Sequence, residues 1–329
     1  MNLFAKGLLS VAAVSMFSLA MPLVHAADEA KKIEIAVIPK GTAHPFWKSV
    51  HAGAEKAAQE LGNVTILWKG AENESDRNQQ VNLVQNFVSR DVKGIVLAPL
   101  DDTALARPVE DAVARKIPVV IIDSGLKSDK QSSFVATDNT EGGRMAARRL
   151  GEVMGGKGKA VMLRYNEGSA STRDREEGFL EEMKAKFPNI ELVSTNQYAG
   201  VTKETALKAS QNLLNKFGDV EGAFASNESA AFGMLRALEI SKKAGKIKFV
   251  GFDCSEALLK GLKEDSIHGL IAQDPFNMGY QGVKTVVAAI KGEKVEKRIP
   301  TNVLTVTKEN MEQPDVKKII STEAEEGKK

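Results

Sequence analysis

Short apolar, β-branched runs alternate along the chain with longer stretches whose apolar positions recur at helical spacing. The first runs lie at 33–38, 64–68, 94–98 and 119–123, and stretches with helical character at 49–61, 77–88 and 103–115 separate them. The first stretch is rich in Ala and is followed by Gly62, where a left-handed residue ends a helix. The second, RNQQVNLVQNFV, places Val81, Val84, Phe87 and Val88 on one face. The strand runs are almost continuously hydrophobic, as parallel strands covered on both faces must be. Strand–helix alternation of this kind predicts a doubly wound α/β domain.

The pattern then restarts. A helix is predicted at 140–153 and a Gly-rich turn at 154–158. Strands follow at 159–164, 190–194, 222–226 and 246–252, with helices at 173–186, 202–217, 230–244 and 255–263. A further strand (267–273), a helix (278–291) and extended pieces up to residue 307 complete the pattern, and the polar end at 322–329 is expected to fray. Two similar α/β domains are therefore expected, with a boundary near 137–140 and a tail able to cross back between them. Residues 1–26 have the features of a signal peptide. Lys6 gives a basic start, 7–21 is apolar and small, and Val24-His25-Ala26 forms a cleavage site. No Cys follows for lipid attachment, so a soluble periplasmic protein starting near Ala27 is expected.

Polar residues gather where the strands end. In open parallel sheets, ligands bind beyond the carboxyl ends of the strands. Here those ends carry Lys40 to Trp47, Asp123-Ser124, Gly168 to Arg175, Ser226-Asn227-Glu228, Asp253 and Gln273-Asp274. Each alone is explained as readily by helix capping. Six from both halves, facing one another, would converge on one volume. Asp, Asn, Gln and Arg suit adjacent hydroxyls, and Phe46 and Trp47 offer flat faces to the C–H side of a ring, although core packing would equally explain these two. His44 is a loop or capping residue or a ligand contact, and Lys40 is expected to be solvated or paired.

Composition narrows the chemistry. The 329 residues are 43% hydrophobic, enough for a sizeable core, and 45 basic against 43 acidic side chains leave no excess to favour nucleic acid. The single Cys254 excludes an internal disulfide and a multi-Cys metal site, and reads better as a small buried residue than as a nucleophile. The segment 151–157 lacks the spacing and the strand–loop–helix order of a phosphate loop. Neither H-E-x-x-H nor G-x-S-x-G occurs. A Ser-His-Asp site using His44 or His268 has no supporting spacing. Asp123 with Asp253 could form an acid/base pair, but acceptance from hydroxyls fits their neighbours better.

The segments HPFWKSVHAGAEKAAQELG, VVIID, ATDN, STRDREEGF, AFASNESAAFGMLRALE, FVGFD and IAQ together resemble the periplasmic sugar-binding proteins of the ribose-binding class, components of ABC importers. The resemblance implies two Rossmann-like lobes joined by three crossing strands, near 137–139, 273–274 and 301–303. Residues 27–137 with 274–302 would form the N-terminal lobe, and 138–273 with 303–329 the C-terminal lobe. By position, Phe46 and Trp47 would stack on the sugar. Asp123 would bind from the first lobe, with His44 in a position where the ribose binder uses Asn. Arg173, Asn227, Asp253 and Gln273 would bind from the second lobe and hinge. Ser124 stands where an Arg follows the Asp, and Val201 lies near the place of a stacking aromatic. These departures imply a wider pocket with fewer donors, for a hexose or cyclic polyol. The implied partners are a permease and, as a second reader, a chemoreceptor, with a monomeric chain and neither cofactor nor metal. Capture of a sugar-like signal molecule and a secreted α/β enzyme stay as alternatives. A transcription repressor of this fold would need a DNA-binding N-terminus instead.

Overall fold

The computed structural model describes residues 32–326, so the expected signal peptide lies outside the described residues. Twelve strands form two six-stranded sheets. The first contains β1 (Ile33–Ile38), β2 (Val64–Trp68), β3 (Gly94–Leu97), β4 (Val119–Ile122), β5 (Ser133–Thr137) and β11 (Arg298–Thr301), in the order β11-β5-β4-β3-β1-β2, all parallel. The second contains β6 (Gly158–Arg164), β7 (Ile190–Tyr198), β8 (Gly222–Ala225), β9 (Lys248–Phe252), β10 (Gly269–Gln273) and β12 (Val303–Val306), in the order β12-β10-β9-β8-β6-β7. Only its last strand, β12, runs antiparallel to its neighbour. Apart from β11 and β12, the two orders are the same, with reversals between β1 and β3 and between β6 and β8. Each sheet with its helices makes one lobe.

The continuous apolar runs are explained by burial on both faces. In β1, Ile35 and Val37 join one core layer while Ala36 and Ile38 join the other. In lobe two, Phe224, Val250 and Ile271 face one layer, and Ala223, Phe249 and Leu270 face the opposite one. Helices α1 (Pro45–Leu61) and α9 (Pro275–Ile290) cover one face of sheet one, and α2 (Arg77–Ser89) and α3 (Ala106–Ala114) the other. In lobe two, α4 (Asn139–Val153) and α5 (Ala170–Lys186) cover one face. The opposite face carries α6 (Lys203–Lys216), α7 (Glu228–Ile240) and α8 (Glu256–Lys263).

Two elements went unforeseen. β5 is the central link between sheet one and the crossing, and α10 (Pro314–Glu326) packs on both α1 and the lobe-two core through Val316 and Ile320. Helix α1 starts at Pro45 rather than at 49, because proline at the first helical position is pre-set for the helix. Phe46 and Trp47 therefore occupy its first turn.

The chain passes between the lobes three times. Thr137 ends β5 and Asn139 opens α4; Gln273 ends β10 and Pro275 opens α9; β11 and β12 are separated by Asn302 alone. Polar side chains tie the passages together. Thr137 Oγ1 donates to Gln273 Oε1 at 2.8 Å, and Asn302 Nδ2 donates to Asp274 Oδ2 at 3.0 Å. The Arg298 guanidinium donates to the Ala136 and Thr137 carbonyls.

Candidate functional site

A cavity lies between the lobes, beyond the carboxyl ends of both sheets. Its two floors are built alike. Asp123 follows β4 and Asp253 follows β9, with φ of +61° and +71° respectively. Left-handed backbone is disfavoured for most side chains but tolerated by Asp. Each backbone N–H nevertheless stays on its sheet, donating to Val135 O at 3.1 Å and Ile271 O at 2.8 Å. The local twist turns both carboxylates out of the strand and into the cleft, where both are 4% exposed.

On the lobe-two side, Asp253 Oδ1 accepts from Gln273 Nε2 at 2.7 Å and Oδ2 accepts from the Glu228 N–H at 2.9 Å. Burial pushes the Asp253 carboxyl above its usual range, against the pull of the Arg175 guanidinium and the Gln273 amide. Arg175 is fully enclosed: Nε donates to Asn139 Oδ1 at 2.8 Å, Nη1 to the Ser226 carbonyl at 3.1 Å, and its plane lies 3.9 Å from the Phe252 ring centroid. Asn227 both lines the cavity and caps α7, accepting from the Ala230 N–H at 3.2 Å.

On the lobe-one side, Lys40 Nζ lies 2.8 Å from Asp123 Oδ2 and reaches across the cleft to Ser171 Oγ at 3.2 Å. Phe46 and Trp47 meet edge to face at 4.9 Å and are almost buried. Trp47 Nε1 donates to Glu74 Oε1 at 2.8 Å, and Tyr165 Oη from the other lobe donates to Glu74 Oε2 at 2.7 Å. Burial and the Glu74 charge keep the Tyr165 phenol well above its ordinary pKa, so it remains a donor. The arrangement can surround a small polar molecule with donors and acceptors while presenting two aromatic rings to its apolar side.

The sequence model of the periplasmic binding protein domain matches residues 35–294. The chain belongs to the periplasmic binding protein family. It is 31% identical to the ribose import binding protein of Haemophilus influenzae over 264 residues, covering 80% of this chain and 88% of that one. It is 30% identical to the D-allose-binding periplasmic protein of Escherichia coli over 270 residues, covering 80% and 86% of the two chains. Among solved structures, a carbohydrate transporter solute-binding protein of Agrobacterium radiobacter in complex with D-arabinose superposes with a TM-score of 0.85 at 37% identity, covering 88% of this chain and 99% of that one. An ABC transporter solute-binding protein of Agrobacterium vitis with bound D-fucose gives 0.85 at 37% identity, covering 87% and 99%.

Within this binding-protein frame, seven of the eight expected residues line the cavity: His44, Phe46, Trp47, Asp123, Asn227, Asp253 and Gln273. Arg173 does not. Its side chain is 40% exposed at the cleft rim, where Nη1 meets Asp102 Oδ2 of the other lobe at 2.8 Å. Two residues along a helix turn a side chain by about 200°, so Arg175, not Arg173, points inward. Lys40 corrects a second expectation. Ser124 does stand beside Asp123 in place of an arginine, but the cation has not been lost, because Lys40 supplies one from another loop. Ser124 instead joins the lobes, its Oγ accepting from the Ser171 N–H at 3.0 Å. Val201 lies outside this cavity, in a groove at the cleft mouth. Glu74 and Tyr165 were not foreseen, Glu74 following its strand by several residues with no strand-end signal, and Glu228, named at its strand end, was given no ligand role. Cys254 is buried beside Asp253. Among the described residues no cluster of His, Cys, Asp or Glu is placed to hold a metal ion, and no helix is long and apolar enough to cross a membrane.

Proposed function

We propose that this protein captures a monosaccharide or related polyol between its lobes in the periplasm and delivers it to an ABC-type importer. One observation carries the reading: polar groups from both lobes converge on one cleft volume that two aromatic rings also line. In this reading Asp123 and Lys40 bind from lobe one, Asp253, Arg175, Asn227 and Gln273 bind from lobe two, and Phe46 and Trp47 pack against the ring's C–H face. The lobes divide as residues 27–137 with 274–302 and 138–273 with 303–329, α10 lying across both. Ligand contacts from both sides favour the closed form, and closure brings one rim of each lobe into the register a permease reads. A chemoreceptor is a second reader of that rim, and the working unit is a monomer. The role is binding without turnover, in keeping with the sugar-binding relatives, with Asp253 engaged as an acceptor from Gln273 and the Glu228 N–H. The related proteins include a ribose import binding protein and one with D-arabinose beside those with D-allose and D-fucose, so they support a monosaccharide ligand, and the six-carbon preference is put to the test directly.

Thermal melting across a monosaccharide and polyol library tests the proposal, followed by titration calorimetry of the hits. A ligand at one hundred times its Kd should stabilise the protein by about 2.7 kcal/mol. A library in which nothing raises the melting temperature would refute the sugar reading. Binding confined to pentoses would refute the six-carbon preference.

A further inference from the structure

His44 stands on the loop between β1 and α1 with a carboxylate at each ring nitrogen. Nε2 is 3.5 Å from Glu74 Oε1, on its own lobe. Nδ1 is 3.2 Å from Glu228 Oε2, on the opposite lobe. A neutral imidazole carries one N–H, so it would turn a lone pair toward one of these carboxylates. An imidazolium donates to both. Glu228 is almost buried, and its other oxygen lies 3.0 Å from Lys203 Nζ at the start of α6.

We propose that Glu228 is a positioning residue that holds His44 as a cation across the cleft, so that closing over a ligand takes up a proton. The groups facing His44 are Glu74, Glu228, Lys203 and, at longer range, Glu204. Trp47 and Tyr165 fix Glu74 from behind. Burial lowers the His44 pKa and Lys203 opposes protonation, yet the bond to Glu228 and the charges of Glu74 and Glu228 outweigh both, raising it above 6.5. For Glu228, burial favours the neutral acid, but His44 and Lys203 reverse this and keep it ionised. When the lobes part, His44 loses the Glu228 contact together with the burial and the Lys203 charge that oppose its protonation; on this proposal the loss of Glu228 is the larger change, which makes the pKa lower in the open form. The gain in affinity is therefore complete below the open-form pKa and is lost as pH rises through the closed-form pKa. Within that window Kd rises by up to about tenfold per pH unit; outside it Kd is flat.

This inference rests on the functional reading above, and one experiment separates the two. Full-length protein is titrated by calorimetry with D-fucose, D-allose and D-arabinose from about pH 5.5 to about pH 8.5, a range that brackets imidazole titration. Each titration is run in two buffers of different ionisation enthalpy, to count protons. The expected result is a Kd that rises with pH and net proton uptake on binding. Glu228→Gln should flatten the profile by losing affinity mainly at low pH, and His44→Asn, which removes the titrating ring, should flatten it independently and serves where Glu228→Gln folds poorly. Binding with no proton uptake and a level Kd overturns the inference while leaving the functional reading intact. A wild-type slope retained in either variant overturns it as well. If none of the three sugars binds at any pH, the same titrations use the strongest hit of the library melt, and a library without any hit fails the functional reading and takes the inference with it.

Discussion

Side-chain direction on α5 assigns its two arginines to different tasks. Arg175 shares a stripe with Phe179 and Met183 at i, i+4 and i+8, both buried in the lobe-two core. That spacing was present in the sequence, but matching the segment STRDREEGF by position favoured Arg173. Sequence pattern located the two aspartates, Asn227 and Gln273 because strand ends announce them. Lys40 was expected to be solvated or paired, and it is paired, but its reach to Asp123 depends on loop shape. Replacing Arg175 by Gln should weaken sugar binding by about 10- to 150-fold, the range for a charge-assisted hydrogen bond. Arg173→Ala removes only a rim ion pair and should cost about fivefold or less. Calorimetry on both variants checks the assignment, and equal losses would refute it.

At the level of elements, period and length predicted both sheets except where an element was short or terminal. β5 is the run SFVAT, whose Ser133 and Thr137 ends leave only three apolar positions, without the continuous apolar run of β4 (VVII). α10 carries Val316, Ile319 and Ile320 at helical spacing after Pro314, signals obscured by its charged remainder. Helix pairs depend on glycine in a way periodicity does not register. A Cβ at Gly178 of α5 would sit 2.2 Å from the Thr140 carbonyl of α4, and one at Gly143 would sit 1.9 Å from the Arg175 carbonyl. The backbones are in contact there, and nothing flexible can yield. Gly178→Ala should therefore destabilise by about 1–3 kcal/mol and weaken sugar binding too, since α5 carries Arg175. Gly218→Ala, whose Cβ would meet nothing within 4 Å, should stay within about 0.5 kcal/mol of wild type. Thermal melts of the pair decide whether close approach, rather than glycine as such, matters.

Over the whole molecule, contacts across the cleft, apart from the crossings themselves, join the lobes. Asp102 receives Arg173 across the cleft, and its N–H donates to the Gly168 carbonyl at 3.1 Å. For Asp102, burial raises the carboxyl pKa, but the hydrogen bonds from Arg173, Thr103 and Lys127 more than reverse it. These contacts exist only with the lobes shut, so they slow release more than they speed capture. Asp102→Asn should raise the dissociation rate by about fivefold or less with little change in association rate. Stopped-flow mixing can follow this through tryptophan emission, because Trp47 lines the cavity. A change confined to the association rate would contradict the assignment.

The threefold passage of the chain also governs the order in which the molecule can be built. α9 and β11 complete lobe one, yet they follow β10 of lobe two in the chain. A nascent chain that has reached residue 273 holds five strands of sheet one with the α9 side of its core uncovered. Neither half can be finished first, as independent domains in tandem are during synthesis. Their completion is deferred to the last few dozen residues, and the long-range pairings involved make folding slow. The crossings that join the two lobes thus oblige them to mature as one.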